Sequence, residues 1–230
     1  MNYEIKQQFI TYNRPKTTLL PVGIVVHETA TPGATAQSEY IYFNGGNRKA
    51  SAHAFVDWME IIQTIPWTEQ AWHAGPTANE KYLGIELCRP STHDPAKFQE
   101  VWNRGVWLFA WLFLNILKKD RVTRDNLMSH AEVSAKWHES DHADPVSYFA
   151  EYGKTVDGFR AEVQRKINEM KGETEMVIYK TLEDVPEWGR PVIQKLIGRG
   201  SIKGDGQGNI TLSEDAVKIL VILDREGVLK

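Results

Sequence analysis

The sequence predicts an α/β protein: a central mixed β-sheet flanked by helices, followed by a small, mainly helical C-terminal domain. Three observations carry this expectation. Short apolar, β-branched runs alternate with longer segments of helical period. One helical segment, Pro95 to Lys119, has an apolar stripe wide enough to require a sheet beneath it. Finally, the pattern breaks at a polar, glycine-containing stretch, Met170 to Glu175 (MKGETE), beyond which a separate helix–loop–helix pattern begins.

The elements follow in order. Val22 to His27 (VGIVVH) reads as a buried central strand with a histidine at its C-terminal end. Thr29 to Gly33 breaks the chain, and Ala36 to Phe43 reads as a helix. His53 to Asp57 and Ile61 to Ile65 read as two strands around a turn at Trp58–Glu60. Leu83 to Cys88 (LGIELC) is a further strand, its apolar character interrupted by Glu86. The long helix from Pro95 to Lys119 sets Val101, Trp102, Gly105, Leu108, Phe109, Leu112 and Ile116 on one face. Leu127 to His130 is a short strand that again ends in histidine, Pro145 opens a last segment, and Val156 to Lys171 is an amphipathic helix. The expected organisation is a first domain over 1–171, a linker over 172–176 and a small module over 177–230. In that module a helix spans Glu187 to Gly198 and a glycine-rich loop starts at Gly204. A second helix covers Leu212 to Arg225, its start marked by Ser213-Glu-Asp.

Composition narrows the function. The chain has 230 residues, 42% hydrophobic and 25% charged, which suits a folded core plus a small second unit. A formal net charge of -3 gives no bulk cationic signal, so neither nucleic acid nor an anionic membrane is an expected partner. The single cysteine, Cys88, rules out an intramolecular disulfide and reads as a small buried hydrophobe. The stretch Val106 to Leu117 (VWLFAWLFLNIL) is too short to span a bilayer. The first residues, MNYEIKQQFITYNRP, carry no apolar signal core, so synthesis in the host cytoplasm without a signal peptide is expected. Action outside the cytoplasm would then follow release by another agent.

The chemistry lies in seven histidines and one misplaced carboxylate. His27 and His130 end two predicted strands, and strand ends of one sheet converge at a common edge. Glu86 sits inside an apolar strand, where an unpaired carboxylate costs several kcal/mol unless a cleft solvates it or a reaction uses it. Asp144, held before Pro145, offers a hard oxygen ligand. Two imidazoles and one carboxylate leave a fourth zinc position open, as catalytic sites require. A competing pattern is His138-Glu139-Ser140-Asp141-His142, a literal H-E-x-x-H metalloprotease motif with Glu162 as its third ligand. That motif works only on a continuous helix, and Ser140, Asp141 and the nearby Pro145 disfavour one.

Six segments in order resemble the zinc N-acetylmuramoyl-L-alanine amidase family, which includes phage endolysins, bacterial autolysins and animal peptidoglycan-recognition proteins. They are GIVVHET, SAHAFVDW, AWHAGP, LGIELC, SHAEVS and SDHADP, and the likeness covers roughly residues 15 to 168. The resemblance implies one zinc ion held by His27, His130 and Asp144, the last standing where other branches have cysteine. It implies that Glu86 is the catalytic glutamate and that His142 stabilises the oxyanion where several members have lysine. His53, His73 and Trp72 are expected to line the substrate cleft. Glu28, Asp141 and Glu132 are candidates for orienting the imidazoles. One departure is Ala52, where some phage members have a tyrosine near the substrate carbonyl. The implied partner is bacterial peptidoglycan, cut between N-acetylmuramic acid and L-alanine, with a phage or prophage endolysin as the expected setting. A non-catalytic peptidoglycan-binding protein is the alternative from another class. The segment from Tyr179, with its DVPEW opening and later LDR, resembles an S-layer-homology unit and implies attachment to the cell wall; a stabilising or dimerising appendage is the other reading.

Overall fold

A computed structural model describes residues 2–172 and 177–229. The chain divides into two compact units, Met1–Glu173 and Thr174–Lys230. The expected linker over 172–176 falls, apart from Gly172, outside the described residues.

The first unit is built on a six-stranded sheet. Its strands are β1 (Ile5–Gln7), β2 (Gly23–Glu28), β3 (Ala54–Val56), β4 (Ile61–Gln63), β5 (Tyr82–Leu87) and β6 (Leu127–Ser129), in the spatial order β1-β4-β3-β5-β2-β6. All neighbours run parallel except β3 and β4, which form an antiparallel hairpin, so the sheet is mixed as expected. β2 and β5 lie inside the sheet with a neighbour on each side, which is why both read as near-continuous apolar runs. β1 went unread in the sequence because three residues with two exposed side chains carry no hydrophobic alternation.

The period of two divides the side chains between two faces. Ile24, Val26, Leu83, Ile85, Leu87, Ala54 and Val56 enter the main core with the long helix α3 (Pro95–Leu112) and with α6 (Val156–Met170). α3 starts with Asp94 accepting from the Lys97 amide and with Pro95 in its first turn. It does not continue unchanged to Lys119: Phe113–Leu117 form a π-helical turn, and Lys118 closes it in the left-handed region at φ 55°. Trp102 is fully buried between the two helices, and its indole N–H donates to Glu162. Among the described residues no helix is long and apolar enough to cross a membrane.

The opposite face carries Val25, His27, Gly84, Glu86 and Phe55. Shorter helices cover it, α1 (Ala36–Phe43), α2 (Pro76–Asn79) and α4 (His130–Trp137), while α5 (Val146–Glu151) packs Tyr148 and Phe149 into the main core. Cys88 lies here in an apolar cluster with Ala36, Ala52, Phe55 and Ile62. Burial pushes its thiol well up, with Asp57, Glu39 and Glu86 adding repulsion, so it behaves as a hydrophobe.

The second unit contains β7 (Ile178–Tyr179) paired antiparallel with β8 (Leu212–Ser213), and helices α7 (Arg190–Gly198) and α8 (Glu214–Arg225). Tyr179, Val185, Ile193, Leu196, Val217 and Val221 form its core. α7 starts three residues later than the sequence predicts, because Pro186 to Gly189 form a turn closed by Gly189 N–H to Pro186 O at 2.9 Å. Ser213 caps α8, so the predicted first residues of that helix are strand and cap instead. In the glycine-rich loop Gly204 has φ 57°, and a Cβ there would lie 2.2 Å from the Asn209 carbonyl oxygen, so only glycine fits.

Candidate active site

Strand register builds the centre of the site. In the parallel pair β2–β5 the Cα partner of His27 is Glu86, so imidazole and carboxylate project side by side from the solvent-facing end of the sheet. His130 follows the neighbouring strand β6. The sequence predicts it as a strand end, but the strand stops at Ser129 and His130 opens α4. Ser129 and Glu132 form a capping box at that junction, which fixes the turn and hence the imidazole. Asp144 comes from the loop before α5, joined to Pro145 by a cis peptide bond. Its carbonyl oxygen accepts from the Ala131 amide at 3.2 Å, which ties that loop to the start of α4.

The three side chains meet. His27 Nδ1 lies 3.1 Å from Asp144 Oδ2, and His130 Nδ1 lies 3.0 Å from Asp144 Oδ1. One ligand atom from each falls within 4.8 Å of the others, and His27 and His130 are buried. The outer ring nitrogens are already engaged: His27 Nε2 is 3.0 Å from His73 Nδ1, and His130 Nε2 is 2.9 Å from Ser140 Oγ. Each imidazole therefore has one nitrogen left, and both point at the same carboxylate. This donor set fits a divalent ion such as zinc, with room on the cleft side for a further ligand. Burial lowers the affinity of His27 for a proton. Burial opposes ionisation of Asp144 too, but hydrogen bonding with His130 and His27 outweighs it and holds the carboxyl well below the ordinary range.

Glu86 lies in the same cavity, of about 320 Å³, with Asp144, Glu28 and Glu39. Its Oε2 is buried and has no hydrogen-bond partner in the protein. Burial pushes its carboxyl well above the ordinary value, and the negative neighbours Asp144, Glu39 and Glu28 push it further. A carboxyl so placed has a raised affinity for a proton, as a general base needs. His142 sits at the exposed rim, its Nδ1 3.7 Å from Asp144 Oδ1 and its ring stacked on His130 at 4.8 Å between centroids. Trp72 and His73 border both this cavity and a wider adjoining groove of about 710 Å³, which also takes in Asn47, Lys49 and Asn79.

One sequence expectation changes. His53 does not line the cleft. It is fully buried, its Nε2–H donates to the Glu69 carbonyl at 2.8 Å, and its Nδ1 accepts from the Gly84 amide at 2.9 Å. With both nitrogens spent on backbone it braces β5 from beneath. The protease pattern, disfavoured by its sequence, does not form a helix. His138 terminates α4 in the left-handed region at φ 57°, so it and His142 share no helix. Glu139 accepts from the amide and hydroxyl of Thr77, and Glu162 is held by Trp102 and Lys154.

The three carboxylates that the sequence offered as candidates for orienting the imidazoles have other surroundings. Glu28 pairs with Arg89 at 3.3 Å, and burial raises its carboxyl to about 7. Glu132 completes the capping box and pairs with Arg160, while Asp141 is exposed. The groups that do touch the outer nitrogens are His73 and Ser140. Ser140 carried no signal of its own: it reached His130 only through a loop whose path the sequence does not encode locally.

A family model described as N-acetylmuramoyl-L-alanine amidase matches residues 17–147, more than half of the chain. Protein Ami of Listeria monocytogenes is 31% identical over 180 residues, 76% of this chain and 19% of that protein. A bifunctional autolysin of Staphylococcus epidermidis is 34% identical over 132 residues, 56% of this chain and 10% of that protein. The chain thus spans a fifth or less of the curated relatives it matches. Among solved structures, Staphylococcus aureus hydrolase AmiA in complex with its ligand superposes with a TM-score of 0.69 at 25% identity, covering 76% of this chain and 88% of that one. The catalytic domain of XlyA gives 0.57 at 28% identity, covering 70% and 99%.

Burial holds the His53 ring down at about 4, so it stays neutral in the folded state. Its contribution to stability is therefore fully present above an unfolded value near 6.5 and is lost as pH falls toward about 4. Urea unfolding in the presence of chelator should show the parent losing about 2–3 kcal/mol more than His53→Gln between pH 7 and pH 4.5. Parallel pH profiles for the two proteins would contradict this.

Proposed function

Because the chain belongs to the N-acetylmuramoyl-L-alanine amidase family, we propose that it is a zinc-dependent hydrolase. Its substrate is the amide between the lactyl carbonyl of N-acetylmuramic acid and the amine of L-alanine in peptidoglycan. The observation that carries this reading is the convergence of His27, His130 and Asp144 next to an unpartnered, buried Glu86 carboxyl. Protein ligands would be His27 Nδ1, His130 Nδ1 and Asp144. Bound there, zinc supplies Lewis acidity, activating water at a pKa of roughly 7 and polarising the scissile carbonyl.

The chain's own groups do the rest. Glu86 accepts the proton of the attacking water and returns it to the nitrogen of the departing L-alanine. Its raised proton affinity suits the first half of that exchange, since a carboxyl of ordinary strength would take a proton from water poorly. His142, exposed at the rim, donates a hydrogen bond to the carbonyl oxygen as negative charge builds on it. Ala52 lies buried beneath α1, so the tyrosine of some phage relatives has no counterpart at that position and His142 takes the larger share. Trp72, 38% exposed, offers an aromatic face to the sugar or peptide.

The biological setting is proposed to be that of an endolysin acting on the wall after release from the producing cell, with a phage or prophage origin. Likeness to a structure named as a mutant endolysin from Bacillus subtilis, at 28% identity and a TM-score of 0.58, supports it. The second unit, 177–230, is proposed to attach the enzyme to the wall, a reading supported by its S-layer-homology-like DVPEW opening and paired helices.

Three outcomes follow. Mass analysis of digested peptidoglycan should find stem peptides with free N-terminal L-alanine. These should vanish with chelator and fall by about 10²–10⁴-fold for Glu86→Gln, which should keep its metal. Near-normal release by that variant would remove Glu86 from the reaction. Asp144→Ala should lose zinc after dialysis by elemental analysis; full occupancy would mean that another group is the third ligand. Deleting 177–230 should reduce co-sedimentation with purified walls, and unchanged sedimentation would speak against a wall-binding role.

A further inference from the structure

Resting on the metal reading above, we propose that His73 is a positioning residue, holding His27 in the tautomer whose Nδ1 lone pair faces Asp144 and His130. The argument is one of donors and acceptors. His73 Nε2 lies 3.1 Å from the Tyr82 carbonyl oxygen. A carbonyl only accepts, so His73 carries its proton on Nε2. In a neutral ring that leaves Nδ1 as an acceptor, and the atom facing it at 3.0 Å is His27 Nε2. His27 must then carry its own proton on Nε2, and its remaining nitrogen, Nδ1, is free of hydrogen and directed at Asp144, 3.1 Å away. The backbone carbonyl of Tyr82 thus dictates, through two rings, which nitrogen of His27 is available as a ligand.

His73 is itself held on three sides. Its amide, with that of Ala74, donates to Asn79 Oδ1 at 2.8 and 3.0 Å. Its ring lies against the bare Cα of Gly84, where a Cβ would sit 2.4 Å from His73 Cγ. Gly84 is not at positive φ, so glycine is needed there for this close approach. Gly84 in turn donates its amide to His53 Nδ1, so His53, Gly84 and His73 form a braced layer beneath His27. A residue needed only for packing would not require two directional bonds in series.

The test uses the full chain. Zinc affinity is measured by chelator competition for the parent, for His73→Phe, which keeps a ring without nitrogen, and for His73→Gln, which restores a side-chain acceptor. His73→Phe should weaken zinc binding by about 10–100-fold, with partial recovery in His73→Gln. Nitrogen-15 spectra of the histidine rings in the zinc-loaded parent give a second readout that needs no variant to fold. Both His27 and His73 should be protonated on Nε2. A proton on Nδ1 of His73, or equal affinities for His73→Phe and a zinc-binding parent, would overturn this inference alone. A parent that binds no zinc would overturn the metal reading, and the inference with it.

Discussion

Asp144 confronts two buried imidazoles at 3.0 and 3.1 Å with its two oxygens, and the rest of the catalytic unit is arranged around that meeting. Three ligating groups held this close and this dry are costly unless something positive is shared among them. The fold bears the cost by fixing each member separately. β2 carries His27, the capping box of α4 carries His130, and the loop tied to Ala131 carries Asp144. No two of the three lie on one element, so the cluster exists only when the sheet and α4 are both in place.

The sheet contributes more than a platform. Its parallel β2–β5 pair fixes His27 and Glu86 at the same level, so the two side chains keep a set spacing regardless of loop motion. Alternation sends Ile24, Val26, Ile85 and Leu87 into the core against α3, and this apolar layer anchors the strands whose other face is polar. The polar face is expensive, and much of its expense lies along one cavity. Glu86, Glu28 and Glu39 each keep a buried oxygen without a protein partner, and all three border the same cavity. His53, by contrast, is buried and fully satisfied, which marks it as scaffold. Hydrogen-bond accounting thus separates His53 from Glu86 where burial alone does not.

The second unit follows a different economy. Its core comprises a few aliphatic side chains and Tyr179 between two helices and a two-residue ladder, with Lys195 bound to Asp224 at 2.6 Å across the helices. Ile219 and Ile222 on α8 remain more than half exposed. A unit this small has little apolar area to bury, which accounts for its reliance on helix caps and on a glycine-dependent loop.

Much of this was legible from the chain alone. Periodicity located α3 and α6, and apolar runs located β2 and β5, because each is long or apolar enough to impose its own pattern. The residue types His27, Glu86, His130 and Asp144 stood out because each is costly where it sits. The short elements β1, α2, α4 and α5 did not announce themselves, since three to eight residues with mixed exposure leave no periodic trace. Tertiary structure alone decided how the nitrogens are used. His53 and His73 look alike in sequence, yet one spends both nitrogens on backbone and the other passes one to His27. His138 and His142 share a motif, yet a left-handed residue at the end of α4 parts them. Residue type is a property of the chain, whereas the partner of a ring nitrogen depends on which backbone group lies within about 3 Å after folding.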